Sequence, residues 1–368
     1  MAIDLSKAFD TIDHNILIKK LKSLNFGQGA VSFFSNYLSE RTFMVRVKND
    51  TSKIHNIKVG VPQGSILGPL LFTLYVNDMP RIVGESNIVL YADDTTLYTG
   101  SKYSGNIQVN LSRDIAELQK WFKSNKLKLN EDKTEFMIIS NNRIRHRFDN
   151  IKIRVGDKLM NAKDELKILG VTIANDLSWD SHTTRLIGSL RHRFRAFSRS
   201  CKWLTVDTRK LLYNSAIASR LNYGDIVWDN CKQDSVNKLQ TIQNRCVRRI
   251  MDSTPGASAT PLINELGWLT LREKRKLHKC VMFHGLMQGK GPRALCSELD
   301  GWRNRGVINT RAKTSQCLSL PNHRTNFITK SYLYETAKIW NKLPANIRQI
   351  KNRSTFKENL HKYLLLNR

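Results

Sequence analysis

A chain of 368 residues with 40% hydrophobic content carries enough apolar material for a folded core, which excludes a wholly disordered tail. Lysine and arginine number 60 against 31 aspartates and glutamates, and the formal charge of +29 calls for a polyanionic partner, nucleic acid before an anionic membrane surface. The longest apolar run, 66–76, contains Gly68 and Pro69 and falls well short of the roughly 20 residues of a membrane span, so no membrane partner is expected.

The first residues lead into Asp4, and Lys7 and Asp10 stand where a secretion signal would be apolar. An intracellular protein, nuclear or cytoplasmic, is expected. Helices are predicted over 15–24 and 30–38, the second with Val31, Phe34, Tyr37 and Leu38 at helical spacing. Alternation of Phe43, Val45 and Val47 with polar residues predicts a hairpin from 41–47 and 54–59. A breaker cluster at 60–64 precedes an apolar helix over 65–76. The β-rich runs 88–91 and 95–98 flank Asp93-Asp94 and read as a tight hairpin with two carboxylates at its tip. A helix over 107–123 follows, then strands at 134–139, 151–155 and 166–173. From 182 the pattern turns helical, over 182–200, 207–218 and 235–251. A linker at 253–258 precedes a last basic segment.

The six cysteines are scattered without a CxxC pair, so free thiols in a reducing compartment are expected. Cys280 and His284, with His278 nearby, make half of a zinc-knuckle spacing without its other half, and ordinary helix packing explains them better.

The chemistry concentrates in Asp4, at the end of a strand, and Asp93-Asp94, at a hairpin tip. Carboxylates on adjacent strands of one sheet can share two Mg²⁺ ions about 3.5–4 Å apart, which serve an in-line displacement at phosphorus. Like charges so close raise one another's pKa, so such a site draws cations. An Asp-Asp pair in a turn is by itself more often solvated turn chemistry. Order along the chain decides between the two. Ala2-Ile3-Asp4-Leu5-Ser6-Lys7-Ala8-Phe9-Asp10 is followed by Gly60-Val61-Pro62-Gln63-Gly64-Ser65-Ile66-Leu67-Gly68-Pro69. Then come Tyr91-Ala92-Asp93-Asp94, Leu129-Asn130-Glu131-Asp132-Lys133-Thr134 and Leu169-Gly170-Val171.

This series resembles the consecutive palm motifs of reverse transcriptases over residues 1–175. The spelling of its first two motifs is similar to the jockey-type branch of non-LTR (LINE-type) retrotransposon enzymes. The resemblance implies an RNA-directed DNA polymerase using RNA template, DNA primer and deoxynucleoside triphosphates. It implies an α+β fold: a palm with an antiparallel sheet and helices over 1–180, a helical thumb over 181–256, and a basic, mostly helical region over 257–368. Asp4, Asp93 and Asp94 would hold two Mg²⁺ ions, with Mn²⁺ as a possible substitute, and Lys133 would stand near the leaving pyrophosphate. Leu5, Phe9, Pro62, Gln63 and Gly64 would contact the nucleotide, Phe9 as a flat ring that leaves no room for a ribose 2′-hydroxyl. Leu169, Gly170 and Val171 would form the strand turn that grips the primer end. Asp10 and His14 read as local hydrogen-bonding and helix-capping residues.

Past the palm the resemblance is looser, carried by Arg220-Leu221-Asn222-Tyr223-Gly224, by residues 239–245 and by Trp340-Asn341-Lys342-Leu343-Pro344. Arg191, Arg195, Arg245, Arg248 and Arg249 are the expected contacts to the nucleic-acid backbone, with a solvated basic face as the plainer alternative. The family places basic fingers before the first palm motif. Their absence here implies a truncated enzyme, weakly active or inactive alone. Two further readings share parts of the pattern: a non-catalytic nucleic-acid-binding remnant of a retroelement, and a maturase-like intron protein. The spelling of the first two motifs, and the lack of a Cys/His cluster near the end, count against the maturase.

Overall fold

The computed structural model describes residues 1–141, 143–303, 317–322 and 326–368, which divide into two compact units, Met1–Leu177 and Ser178–Arg368. The first unit runs β1 (Ala2–Ile3), α1 (His14–Ser23), α2 (Gln28–Leu38), β2 (Thr42–Phe43), β3 (Arg46–Val47), β4 (Asp50–Thr51), β5 (His55–Asn56) and α3 (Leu67–Val76). It continues with β6 (Asn87–Tyr91), β7 (Asp94–Tyr98), α4 (Ser104–Ser124), β8 (Lys152–Val155), β9 (Lys158–Asn161), β10 (Glu165–Ile168) and β11 (Val171–Ala174). Mixed helices and small antiparallel sheets result, in agreement with the expected α+β class.

The central sheet has the order β1-β7-β6. Although only two residues long, β1 is bonded on both edges. Ala2 and Ile3 pair with Thr96 and Thr95. On the other side Ala2 N–H donates to Glu135 O (2.7 Å), Glu135 N–H returns to Ala2 O (3.0 Å), and Asn130 N–H donates to Asp4 O (2.9 Å). Leu17 and Leu21 of α1, Leu71, Phe72 and Tyr75 of α3, and Leu118 and Phe122 of α4 pack with Ile3 and Leu97 into one core, the apolar stripes that the helical spacing required.

Two buried polar groups fix this scaffold. Asp13 is the N-cap of α1, accepting from Ile16 N–H at 3.0 Å, and takes Lys126 Nζ at 2.6 Å, contacts that hold its carboxyl below the usual carboxylate range, the lysine foremost. Asp114 of α4, 1% exposed, accepts the backbone N–H groups of Gly84 (3.1 Å), Glu85 (3.4 Å) and Ser86 (2.7 Å) and so sets the chain entering β6.

Several expected elements take another form. The run 166–173 is a hairpin, not one strand, because Leu169 and Gly170 adopt φ of 47° and 81° and reverse the chain between β10 and β11. Nothing in a leucine announces that turn. Residues 134–139 form only single bridges, Glu135 with Ala2 and Met137 with Lys163. The hairpin over 41–59 exists as two short ladders, but Phe43 (48%) and Val47 (64%) are exposed, so its alternation marks no buried face.

The second unit is helical: α5 (Asp180–Ser200), α6 (Val206–Tyr213), α7 (Ser219–Leu221), α8 (Asp225–Trp228), α9 (Gln233–Ile250), α10 (Ala259–Glu265), α11 (Leu271–Met287) and α12 (Arg293–Arg303), then helices Asn326–Thr329, Tyr332–Lys342, Ala345–Arg348 and Arg353–Leu366. The helix expected over 207–218 stops at Tyr213 and passes into a π-helical turn, Asn214–Ala218. Helices α5 and α9 lie side by side in the same direction. Lys232 Nζ meets Asp180 at 2.5 Å near their starts, and Arg209 donates to Cys201 O (2.8 Å) and Ile250 O (3.1 Å) at their ends. The core joins Phe283 and Cys280 of α11 to Trp340 and Phe356 of the later helices. Among the described residues no helix is long and apolar enough to cross a membrane.

Candidate active site

The acidic hairpin forms because β6 and β7 pair in register from Asn87↔Tyr98 to Tyr91↔Asp94, which leaves Ala92-Asp93 as the connecting residues. Ala92 takes the left-handed conformation this tight reversal needs, with φ of 51°. Antiparallel register does the rest. Ile3 faces Thr95, so the next residue out, Asp4, stands beside Asp94 at the same edge of the sheet. The three carboxylates sense one another electrostatically: the Asp94 carboxyl is raised above its ordinary range by burial first, then by the charges of Asp93 and Asp4.

The carboxylates share an edge without closing on one point. Among the described residues no three His, Cys, Asp or Glu side chains are grouped so as to hold a metal ion. The donor chemistry suits a hard divalent cation, and the mutual charge that raises Asp94 is the kind of strain a cation relieves. Asp93 and Asp94 are exposed and Asp4 half-buried, so all three can be reached.

The segment expected to carry Lys133 borders the other edge of β1. Thr134 Oγ1 donates to Asn130 O at 2.7 Å and accepts Asp4 N–H at 3.3 Å, while Lys133 N–H donates to Asn130 Oδ1 at 3.3 Å. Lys133 is therefore one residue from a direct tie to Asp4, with its side chain exposed. The first two motifs are laced together by backbone. Gly60 N–H donates to Ile12 O (2.7 Å), Val61 N–H to Phe9 O (2.9 Å), and His14 Nε2–H to Gly60 O (2.7 Å). Gly60 has φ of 88°, and a Cβ there would lie 2.8 Å from Asp10 O, so only glycine allows this approach. Gln63 Nε2 donates to Asp10 Oδ1 at 2.7 Å, and exposed Gly64, with φ of 79°, turns the chain toward α3. Ser65 Oγ donates to the carbonyl of half-buried Pro62 at 2.8 Å and accepts Gly68 N–H at 2.9 Å, steadying the entry.

Asp10 and His14 thus bind the loop that follows in the second motif. The capping residue is Asp13, just before the helix, rather than Asp10 or His14. Phe9 is half-buried, its ring centroid 4.6 Å from that of Phe72. Leu5 is 5% exposed and bridged to Leu129, so its side chain is core, which leaves its backbone as the part able to meet a nucleotide. Leu169 and Gly170 form the β10–β11 turn and Val171 starts β11 with its side chain buried, on a hairpin separate from the central sheet.

In the second unit Arg191 and Arg195 of α5 and Arg245 and Arg249 of α9 are exposed, each pair one turn apart on its helix. The parallel packing of α5 on α9 sets the two pairs at similar height. Arg248 departs from that group: its guanidinium Nε donates to Ala257 O at 2.7 Å and so braces the loop after α9. The CxxxH residues are packing residues as well. Cys280 is buried, His284 stacks on Phe356 at 4.3 Å and bonds Ile350 O at 2.6 Å, and His278 Nδ1 meets Asp225 at 2.7 Å.

Residues 1–173 match the family model described as reverse transcriptase (RNA-dependent DNA polymerase), and this stretch is a reverse transcriptase domain. The chain is 28% identical over 289 residues to the probable RNA-directed DNA polymerase from transposon BS of Drosophila melanogaster, covering 75% of this chain and 31% of that protein. It is 29% identical over 263 residues to the RNA-directed DNA polymerase from mobile element jockey of the same organism (67% and 28%). To the probable polymerase from transposon X-element it is 26% identical over 287 residues (75% and 31%). The chain thus spans under a third of the length of these relatives, and matches longer than 260 residues carry the similarity from the domain into the helical unit.

Proposed function

We propose that this chain carries the catalytic centre of an RNA-directed DNA polymerase of a non-LTR retrotransposon, copying an RNA template from a DNA primer with deoxynucleoside triphosphates. The observation that carries the reading is the register of β1 on β7, which brings Asp4 to the edge that bears Asp93 and Asp94. In this reading Asp4, Asp93 and Asp94 hold two Mg²⁺ ions, which supply charge neutralisation for the attacking and leaving oxygens. The protein's own part is positional. The β6–β7 hairpin holds two carboxylates at a fixed turn, and the Asn130–Thr134 segment fixes Asp4 from behind through its backbone. Phe9, backed by Phe72, lies under the sugar. Gln63, steadied by Asp10, and Gly64 let the template base and nucleotide approach, with Pro62 stiffening their turn. Lys133 offers a proton or positive charge to the departing pyrophosphate. The palm is residues 1–180, the thumb 181–256, and Arg191, Arg195, Arg245 and Arg249 meet the duplex backbone.

The test is Mg²⁺-dependent primer extension on an RNA template. It is run with this chain, and with this chain joined to the segment that precedes the matched region in a jockey-type relative. Asp93→Ala and Asp94→Ala are each expected to lower synthesis at least about 10³-fold while leaving template–primer affinity within about threefold. Millimolar Mg²⁺ is expected to raise the unfolding temperature of the unaltered chain and not of Asp4→Asn. Synthesis that survives Asp93→Ala would overturn the assignment, whereas binding without synthesis in every form would favour the nucleic-acid-binding remnant.

A further inference from the structure

The helical unit holds a cavity of about 580 Å³ between the end of α11 and the start of the helix Arg353–Leu366. Its volume lies within the roughly 300–1,000 Å³ of clefts that take up small-molecule ligands. Three cations line it, Lys290, Lys351 and Arg353, and no aspartate or glutamate does. None of the three is ion-paired among the described residues, although elsewhere in this unit even buried cations find carboxylates, as Lys279 does with Glu335 at 2.6 Å. Uncompensated charge gathered in a concavity focuses the field on whatever enters. Neutral polar groups complete the lining. Asn352 caps the helix that begins there, accepting the N–H groups of Ser354 (2.9 Å) and Thr355 (3.0 Å), and Gly291 adds backbone without a side chain. His284 also lines the cavity. It is 2% exposed, and its Nδ1 is buried with no hydrogen-bond partner among the described residues.

We propose that this cavity is a separate polynucleotide-binding site, in which Lys290, Lys351 and Arg353 take consecutive phosphates of one RNA or DNA strand. Its size exceeds what a bare inorganic anion would fill, and the chain's charge of +29 selects for a polyanion. Its lining shares no residue with the carboxylate edge or with the arginines on α5 and α9.

The experiment measures fluorescence anisotropy of a labelled 15-nucleotide RNA, and of the matching DNA, with the full chain across a salt series. Lys290→Gln, Lys351→Gln and Arg353→Gln are combined in one variant. Each lost phosphate contact removes about 0.7 from the slope of log K against log salt for a single strand, so the slope is expected to shrink by about 2. Affinity near 0.1 M salt should fall at least about tenfold. A control combining Lys19→Gln, Lys22→Gln and Lys123→Gln, exposed lysines of the first unit, makes the same charge change and should cost under about threefold. Swapping the three cavity cations for one another (Lys290→Arg, Lys351→Arg, Arg353→Lys) should restore binding. Because all three are exposed, thermal unfolding of the variants should match the unaltered chain. The proposal is overturned if slope and affinity do not change, or if the control loses as much as the cavity variant. It also fails if millimolar inorganic phosphate raises the unfolding temperature through these cations while oligonucleotide affinity ignores them.

Discussion

The two units handle charge in opposite ways. In the reverse transcriptase domain the groups that matter chemically stand at turns and sheet edges, held by backbone bonds, with Asp93 and Asp94 exposed. In the helical unit several charged side chains are interior. Arg275 and Lys279, 3% and 2% exposed, converge on Asp229, Lys279 also reaches Glu335 at 2.6 Å, and Arg275 lies over the Trp228 ring at 4.3 Å from its centroid. A positive side chain in this protein is therefore evidence of a polyanionic partner only where the fold leaves it unpaired. That rule divides Arg245 and Arg249 from Arg209, 7% exposed and paired with Asp252 at 3.0 Å, which the sequence presents alike.

The sharpest way to break the contrast is to remove an interior cation. Lys279→Ala takes a buried cation from Glu335 and from Asp229, which keeps Arg275, and empties the space its stem fills; it is expected to cost about 3 kcal/mol in denaturant unfolding. Lys238→Ala on α9, whose partner Asp234 lies one turn back on the exposed surface, should cost no more than about 0.5 kcal/mol. Equal costs would mean that the interior network is ornamental and the division of charge is wrong. In the first unit the corresponding test falls on backbone. Gly60→Ala meets both the positive φ and the close Asp10 carbonyl, and should cost about 2 kcal/mol as well as depressing synthesis by separating the two loops. Asp114→Asn turns a donor toward backbone N–H groups that now find an acceptor, with an expected loss of about 1–3 kcal/mol; a neutral result would show that the loop before β6 does not need its carboxylate.

These residues also show where sequence was enough. The placing of Asp4 at the edge that bears Asp93-Asp94 was legible because β-rich runs flank the acidic pair and a short apolar lead ends in Asp4. Gly60 was legible as a breaker, but its reason, a carbonyl of residue 10, depends on a contact across the fold. Asp114 was hidden because one aspartate in an amphipathic helix looks like solvated charge, and only tertiary packing turns it inward. The turn at Leu169 was legible only through the resemblance: a left-handed leucine is disfavoured locally and is held there by the ladder on either side. Arg248 misled in the other direction, since its neighbours on α9 do face outward and its own partner is a loop carbonyl nine residues on.

The smallest effect is also the most diagnostic of the acidic edge. Burial and the charges of Asp93 and Asp4 raise the Asp94 carboxyl above its unfolded value of 3.8. A group whose pKa rises on folding contributes stability that is fully present below the unfolded value and lost as pH climbs through the folded one. At neutral pH the ionised Asp94 is then a cost to the cation-free chain. Asp94→Asn, which keeps the shape without the charge, should unfold at a slightly higher denaturant concentration than the unaltered chain at pH 7. The gap should narrow as pH falls toward 4, and also when millimolar Mg²⁺ is added, since cations offset the repulsion that the substitution removes. If Asp94→Asn is the less stable protein at pH 7, or if the gap ignores both pH and Mg²⁺, then the three carboxylates do not share a field and the edge that joins them has no claim to be a metal-binding centre.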